Sequence, residues 1–272
     1  MSAMDAQTKE LKPPSRLLML MEGRAVLGLA AFFAALPWLR KAPPGDGHPV
    51  MVLPGLAATD GSTRPLRRYL AELGYAVQGW ELGRNLGRKQ IVDLQLVPRL
   101  REVRARSGRT VSLIGWSLGG ILAREMAKRA PQDVRLVVTL GSPFAGGSRA
   151  SNVARLFEAV SGRKIVDDAH LRRRISEAPP VPLTSIYSRT DGVVAWRACL
   201  EQEGPTSENI EVRGSHCGLG HNPAALWAVA DRLAQPEGQW SRFAPGGALQ
   251  MLYPDPQRCA PASGVGYSCD RR

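Results

Sequence analysis

The stretch TVSLIGWSLGGILAREMAKRA, residues 110–130, contains the pattern that most clearly indicates the fold class of this chain. Thr110 to Ile114 is a short apolar run typical of a buried strand, and Leu118 to Ala130 carries apolar side chains at helical spacing. Ser117 lies between them in a G-x-S-x-G pattern, whose small flanking residues allow a sharp turn from strand to helix. A phosphate-binding loop is excluded, because neither G-x-G-x-x-G nor the lysine of G-x-x-x-x-G-K-[ST] is present. We therefore expect Ser117 to be a nucleophile.

A nucleophilic serine needs N–H donors for the oxyanion that its attack creates. Leu118 directly follows the serine, and its amide lies at the amino end of the predicted helix, where the helix dipole favours negative charge. The second donor must come from the loop after the first predicted strand, residues 50–53, which continues as Pro54-Gly55-Leu56. We expect the amides of Leu56 and Leu118 to form the oxyanion hole.

The general base must be one of four histidines. His48 precedes the first strand in a Pro/Gly linker and His170 lies among arginines, so both are expected at the surface. His216 follows the last predicted strand, on a loop that returns to the edge of the sheet where the serine lies, and it is the expected base. His221 remains an alternative base; otherwise it caps the following helix or lines a pocket.

The expected acid is Asp191, which lies in a turn after the penultimate predicted strand. An Asp-Gly pair is commonly an ordinary turn. Ser117, Asp191 and His216 each follow their own predicted strand at its carboxyl end, which allows Asp191 to act instead as the carboxylate that orients the base. Asp167 and Asp168 are weaker alternatives for this role.

The remaining pattern alternates apolar strands with amphipathic helices, which predicts an α/β domain with a mostly parallel sheet and helices on both faces. The alternation pauses at residues 142–180, where we expect a small helical cap insertion or, alternatively, a helical pair packed only for stability. The expected pocket residues are Trp116, Phe144, Leu156 and Phe157. The expected divisions are a tail at 1–16, an apolar helix and linker at 17–44, the main domain at 45–235 and an irregular tail at 236–272.

Charge and cysteine content narrow the class of protein. The formal net charge of +12, from 36 basic and 24 acidic residues, would suit a partner such as nucleic acid or anionic membrane. The arginines follow predicted helices without aromatic residues for base stacking, so no nucleic-acid partner is expected. The cysteines lack metal-site spacing, and we expect no metal and no cofactor. Two alternatives remain open for the cysteines. Either disulfides join Cys199 to Cys217 and Cys259 to Cys269, or all four are free thiols.

Near the amino end, Ala25 to Leu39 is an uncharged apolar run. As a helix it would span about 22 Å, short of the ~30 Å hydrocarbon core, and Pro37 is expected to break its last turn. A full membrane span would need Leu17 to Met21 to join this run across Glu22 and Arg24. An interfacial helix on anionic lipid and a helix packed on the protein core both remain open. The expected location is cytoplasmic or peripheral to a membrane, with export left open.

Six motifs together resemble the α/β-hydrolases of the lipase and esterase type: VLPGL, LGYAVQGWELGRNLG, GWSLGG, TLGSPFAG, YSRTDGVV and GSHCGLGHNP. The resemblance covers roughly Pro49 to Ala234. Within these hydrolases, the chain is similar to triacylglycerol-lipase-like proteins and, more distantly, to GPI inositol-deacylase-like hydrolases. The resemblance implies an α/β-hydrolase fold in which Ser117, Asp191 and His216 form the triad. One departure is the pair Pro54-Gly55, where many lipases carry His-Gly.

The resemblance also implies a chemistry. It predicts a serine hydrolase of carboxylic esters that forms an acyl-enzyme, uses Leu56 and Leu118 as oxyanion donors and needs no cofactor. The resemblance does not specify the substrate, but the apolar residues of the 142–180 insertion, Phe144, Leu156 and Phe157 among them, favour an apolar acyl chain. An acyltransferase and a thioesterase share all of these motifs. A non-catalytic protein that binds anionic membrane or nucleic acid is the alternative outside the enzymes.

Overall fold

The computed structural model describes residues 11–88, 90–146, 152 and 169–254. Its centre is a six-stranded sheet built from β1 Pro49–Leu53, β2 Ala76–Gly79, β3 Val111–Trp116, β4 Val134–Leu140, β5 Leu183–Tyr187 and β6 Ser207–Glu211. The strand order is β2-β1-β3-β4-β5-β6, and every neighbouring pair is parallel. Every residue of β1, β4 and β5 is buried, as expected for strands covered on both faces. The predicted fold class is confirmed.

Helices cover both faces of this sheet. The α-helices of the described residues, among them those that cover the sheet, are α1 Arg16–Leu20, α2 Ala25–Leu39, α3 Arg64–Glu72, α4 Val97–Ser107, α5 Leu118–Arg129, α6 Ala169–Ser176 and α7 Pro223–Ala234. Alternate side chains of β1 point into two separate cores. Val50 and Val52 pack with α2, α3 and α7, whereas Met51 and Leu53 pack with α4 and α5. The helix of the opening motif, α5, thus lies on one face of the sheet, and the amino-terminal helix α2 lies on the other.

The amino-terminal segment is one helical run from Arg16 to Leu39, in which the 3-10 turn Met21–Arg24 joins α1 to α2. This run of 24 residues is long and apolar enough, by length and composition, to cross a membrane. One of its faces packs on the core through the buried side chains of Phe32 and Leu39. Core packing, one of the two open alternatives, therefore holds for this face of the helix.

The expectation that Pro37 breaks this helix is wrong, because α2 continues through it to Leu39. A proline so close to the carboxyl end removes a single backbone hydrogen bond. The indole rings of Trp38 and Trp227 stack with their centroids 4.4 Å apart, which fixes the last turn of α2 against α7. Tertiary packing at the end of the helix thus offsets the local preference of proline.

Part of the predicted cap insertion at 142–180 belongs to the described residues. Its last helix, α6, is joined to α5 by Arg124, whose guanidinium donates to the carbonyl oxygens of Ser176 and Glu177, both at 3.0 Å. Several predicted positions lie outside the described residues, namely Leu156, Phe157, Asp167, Asp168, Cys259 and Cys269.

Candidate active site

Ser117 lies directly between β3 and α5, with φ of 54° and ψ of −120°. This conformation costs a non-glycine residue free energy and persists only where the surroundings impose it. The surroundings here are tight: a Cβ on Gly119 would lie 2.3 Å from the carbonyl oxygen of Leu53, and one on Gly115 would lie equally close to the first turn of α5. The Ser117 N–H donates to the carbonyl oxygen of Leu140 at 2.8 Å. The flanking glycines therefore make the strained serine turn sterically accessible.

Asp191 and His216 form a buried pair, with 2.6 Å between Asp191 Oδ2 and His216 Nδ1. The other Asp191 oxygen accepts the N–H groups of Val193 and Val194 at 2.8 and 2.7 Å, which orients the carboxylate. Burial by itself would lower the pKa of His216, but the charge and hydrogen bond of Asp191 outweigh it and raise that pKa above its ordinary value. A carboxylate on Nδ1 keeps a proton on that nitrogen, so Nε2 is left to accept one.

The turns after β3, β5 and β6 meet around Gly141, the residue after β4. A Cβ there would lie 3.1 Å from His216 Nδ1 and 3.3 Å from Asp191 Oδ2. The indole N–H of Trp116 donates to the carbonyl oxygen of His216 at 3.1 Å, which joins the serine turn to the histidine loop. Among the hydrogen bonds of the described residues none joins Ser117 Oγ to His216, and this contact is often long before substrate binds. The structure thus pairs Asp191 with His216 and joins their loops to the turn of Ser117.

The two predicted oxyanion donors lie on either side of the serine. A Cβ on Gly55 would lie 3.3 Å from Ser117 Cβ, so the loop after β1 contacts the serine directly. Within the described part of the chain, neither the Leu56 amide in that loop nor the Leu118 amide at the start of α5 donates a backbone hydrogen bond. Two amides without partners beside a serine are available to bind an oxyanion. Their role stays a prediction.

Asn85, which sequence reasoning missed, holds the loop that carries Leu56. Its side chain is fully buried, and its amide donates to the carbonyl oxygen of Pro54 at 2.8 Å. Its backbone carbonyl accepts the Ala57 N–H at 2.7 Å, and its own N–H donates to the carbonyl oxygen of Ala58 at 2.8 Å. The signal in the sequence is an asparagine among glycines, which is typical of turns in general. Asn85 therefore positions the expected Leu56 donor.

The geometry favours His216 over His221 as the base. His221 Nε2 lies 2.9 Å from the carbonyl oxygen of Ala25, so this ring joins its loop to α2. The cap of α7 is supplied by the neighbouring Asn222, whose side chain accepts the Ala225 N–H at 3.0 Å. His221 thus serves to attach the amino-terminal helix.

The expectation that His48 lies at the surface is wrong, whereas His170 is exposed as expected. The His48 ring is fully buried, with Nδ1 2.5 Å from Asp46 Oδ1 and Nε2 2.9 Å from Ser112 Oγ. Burial lowers the pKa of His48, which favours its neutral form. These residues are a second Ser-His-Asp arrangement, but Ser112 lies inside β3 with 0% exposure, out of reach of any substrate. They join the linker before β1 to the sheet.

Two of the predicted pocket residues are described. Trp116 is half-buried and contacts the histidine loop. The Phe144 ring is buried instead of open to solvent, with the Arg124 guanidinium carbon 3.8 Å from its centroid. Cys199 and Cys217 are free thiols, so the disulfide alternative for this pair does not occur. Within the described ranges, no group of three or more His, Cys, Asp or Glu side chains could hold a metal ion.

No protein-family model matches this sequence, and no curated protein matches it significantly. Solved structures do resemble it. Lipase B of Aspergillus fumigatus superposes with a TM-score of 0.56 at 20% identity, covering 71% of this chain and 53% of that one. The Bacillus licheniformis lipase BlEst2 in its propeptide form gives 0.53 at 18% identity over 75% of this chain and 55% of that one. Its mature form gives 0.50 at 16% identity over 69% and 90%.

This chain therefore spans about half the length of the Aspergillus lipase chain that it matches. At sequence identities of 16 to 20%, the similarity to these lipases shows the fold alone. It confirms the fold that the sequence motifs imply.

Proposed function

We propose that this chain, which has the α/β-hydrolase fold, is a serine hydrolase that cleaves carboxylic esters. The observation that carries the proposal is the 2.6 Å hydrogen bond between Asp191 and His216, on loops that meet the strained turn of Ser117. The solved structures that it resembles are named lipases, which supports ester hydrolysis.

In the proposed reaction, His216 Nε2 takes the hydroxyl proton of Ser117 as the serine oxygen attacks the ester carbonyl carbon. The amides of Leu56 and Leu118 bind the resulting oxyanion. Nε2–H then protonates the departing alcohol oxygen, which leaves an acyl group on the serine. Water, deprotonated by the same nitrogen, attacks the acyl carbon; Nε2–H then returns the proton to the departing Ser117 oxygen, which releases the acid and restores the free enzyme. Asp191 stabilises the imidazolium in both steps, and the reaction needs no cofactor.

Labelling with a fluorophosphonate tests this proposal, because the probe reacts with an activated serine whatever the natural substrate. We expect stoichiometric labelling of the full chain, with the modified peptide containing Ser117 in mass spectra. Parallel assays with p-nitrophenyl esters, the matching thioesters and an added alcohol acceptor separate an esterase from a thioesterase or acyltransferase. Folded protein that takes up no label would contradict the proposal and favour a non-catalytic binding protein.

We also propose that this protein lies peripherally on a membrane through an exposed apolar surface of its amino-terminal segment. The members of this apolar amino-terminal face are 43 to 81% exposed: Leu17, Met19, Leu20, Met21, Val26, Leu27 and Phe33. Arg16, Arg40 and Lys41 lie at its two ends. Exposed apolar side chains along a helix with cationic residues at its ends are typical of helices that bind anionic lipid surfaces. Such binding would bring the site close to lipid esters.

Replacing Leu20 and Leu27, which are 81% and 73% exposed, with glutamate is expected to weaken binding to phosphatidylglycerol-containing liposomes at least tenfold. The reason is that burying one leucine contributes about 1.5–3 kcal/mol. Co-sedimentation measures the effect, and hydrolysis of a short soluble ester should stay unchanged. Leu94→Glu is the control, since Leu94 is 69% exposed and its neighbours Val92 and Leu96 pack in the core on the far side of the sheet. Equal binding by the double variant and the control would exclude this surface.

A further inference from the structure

Two charged residues, Glu22 and Arg24, interrupt the apolar amino-terminal run. The 3-10 turn Met21–Arg24 places both against the loops that carry Asp191 and His216. The preceding helix α1 also lies close to the loop of Asp191, because a Cβ on Gly192 would lie 2.2 Å from the carbonyl oxygen of Leu18. These two charges therefore face the candidate active site.

The Glu22 carboxylate binds both loops at once. Its Oε1 accepts the N–H of Gly192, the residue after Asp191, at 2.7 Å and the N–H of His216 at 3.0 Å. Its Oε2 accepts the N–H of Cys217 at 2.8 Å. One side chain thus satisfies three backbone donors from two loops. Hydrogen bonds to a carboxylate are about twice as strong as those between neutral groups.

Arg24 makes the complementary contacts. Its guanidinium donates to the carbonyl oxygen of Thr190, the residue before Asp191, and to that of Gly214 at 3.4 Å. Glu22 therefore takes the N–H groups of the two loops, while Arg24 takes their carbonyl groups. The loop of Asp191 and the loop of His216 are therefore both bound to the same helical turn.

We propose that Glu22 is a positioning residue for the hydrolytic site, which holds the acid loop and the base loop in register from the amino-terminal helix. This inference rests on the proposed serine-hydrolase function. It makes the amino-terminal segment a part of the active site in addition to a candidate lipid-binding surface.

The charge of Glu22 also acts on the base. Burial would raise the pKa of Glu22, but its three backbone donors outweigh that effect and lower it, so the carboxylate is ionised at neutral pH. Its charge, together with Asp191, raises the pKa of His216. The titratable and charged groups around this histidine are Asp191, Glu22, Arg24, Cys217 and His221. Burial and the Glu22 charge raise the pKa of Cys217 to about 11, so its thiol stays protonated in the neutral range.

The test compares Glu22→Gln with Glu102→Gln, a matched change at an exposed position of α4. In Glu22→Gln we expect kcat on a short soluble ester to fall about 10- to 100-fold with little change in KM, the scale of a small misplacement of catalytic groups. The base acts in its neutral form, and loss of the carboxylate lowers the pKa of His216. The acidic limb of the kcat/KM profile should therefore move to lower pH, which a loss of folded protein alone would not produce.

A second variant, Glu22→Asp, keeps the charge and shortens the side chain. We expect it to lower kcat while leaving the acidic limb near its wild-type position. Circular dichroism spectra test whether each variant is folded. If Glu22→Gln does not fold, the kcat of Glu22→Asp decides. Wild-type kcat in the folded variants, or an unmoved acidic limb in folded Glu22→Gln, would overturn the role of Glu22 and leave the proposed function intact. A wild-type chain that neither labels nor hydrolyses esters would overturn the proposed function itself.

Discussion

Ser117→Ala is expected to reduce ester hydrolysis by about 10³-fold or more, the scale seen when a member of a Ser-His-Asp triad is removed. The variant should also lose all fluorophosphonate labelling. Its fold should persist, because alanine and serine have the same backbone restrictions at φ of 54° and the tight contacts of the turn belong to the glycines. Initial rates with p-nitrophenyl butyrate, together with thermal unfolding, measure both effects.

Ser112→Ala is the matched control, since Ser112 lies on β3, the strand that leads to Ser117, in the buried arrangement with His48 and Asp46. It removes a buried hydrogen bond, which typically contributes about 1 kcal/mol to the free energy of unfolding. We expect it to lower the melting temperature while the folded protein keeps its activity and its label. Near-normal turnover by folded Ser117→Ala would refute the mechanism.

His216→Ala should lose activity to a similar extent, about 10³-fold or more. His221→Ala should keep most of it, because that ring contacts the Ala25 carbonyl instead of a carboxylate. Comparing kcat/KM of the two variants on the same ester distinguishes them. The reverse pattern would move the base to His221.

The pH profile of the wild-type chain provides a second check on this base. The neutral imidazole accepts the proton, so kcat/KM should fall as pH drops through the pKa of His216. Since Asp191 and Glu22 outweigh burial and raise that pKa, we expect this fall at a higher pH than for an ordinary histidine. A limb below the ordinary histidine value would contradict the charge arrangement described for this site.

Much of the fold and the candidate site could be predicted from the sequence, because the signals are local. Apolar runs and helical spacing specify which short segments become strands and helices, and the turn residues mark where each ends. The carboxyl ends of parallel strands meet at one edge of a sheet. Because Ser117, Asp191 and His216 each follow a predicted strand, the sequence was enough to predict that the three side chains belong to one region.

Other features depend on contacts between distant segments, which no local pattern encodes. Glu22 and Arg24 read as interruptions of an apolar run, yet they bind loops 166 to 195 positions further along the chain. His48 reads as a linker residue, but its ring is buried because Ser112 offers it a partner 64 positions away. Local sequence determines which groups must be buried or hydrogen-bonded. Only the tertiary structure decides which partner satisfies each group, because the partner's position depends on how the whole sheet and its helices pack.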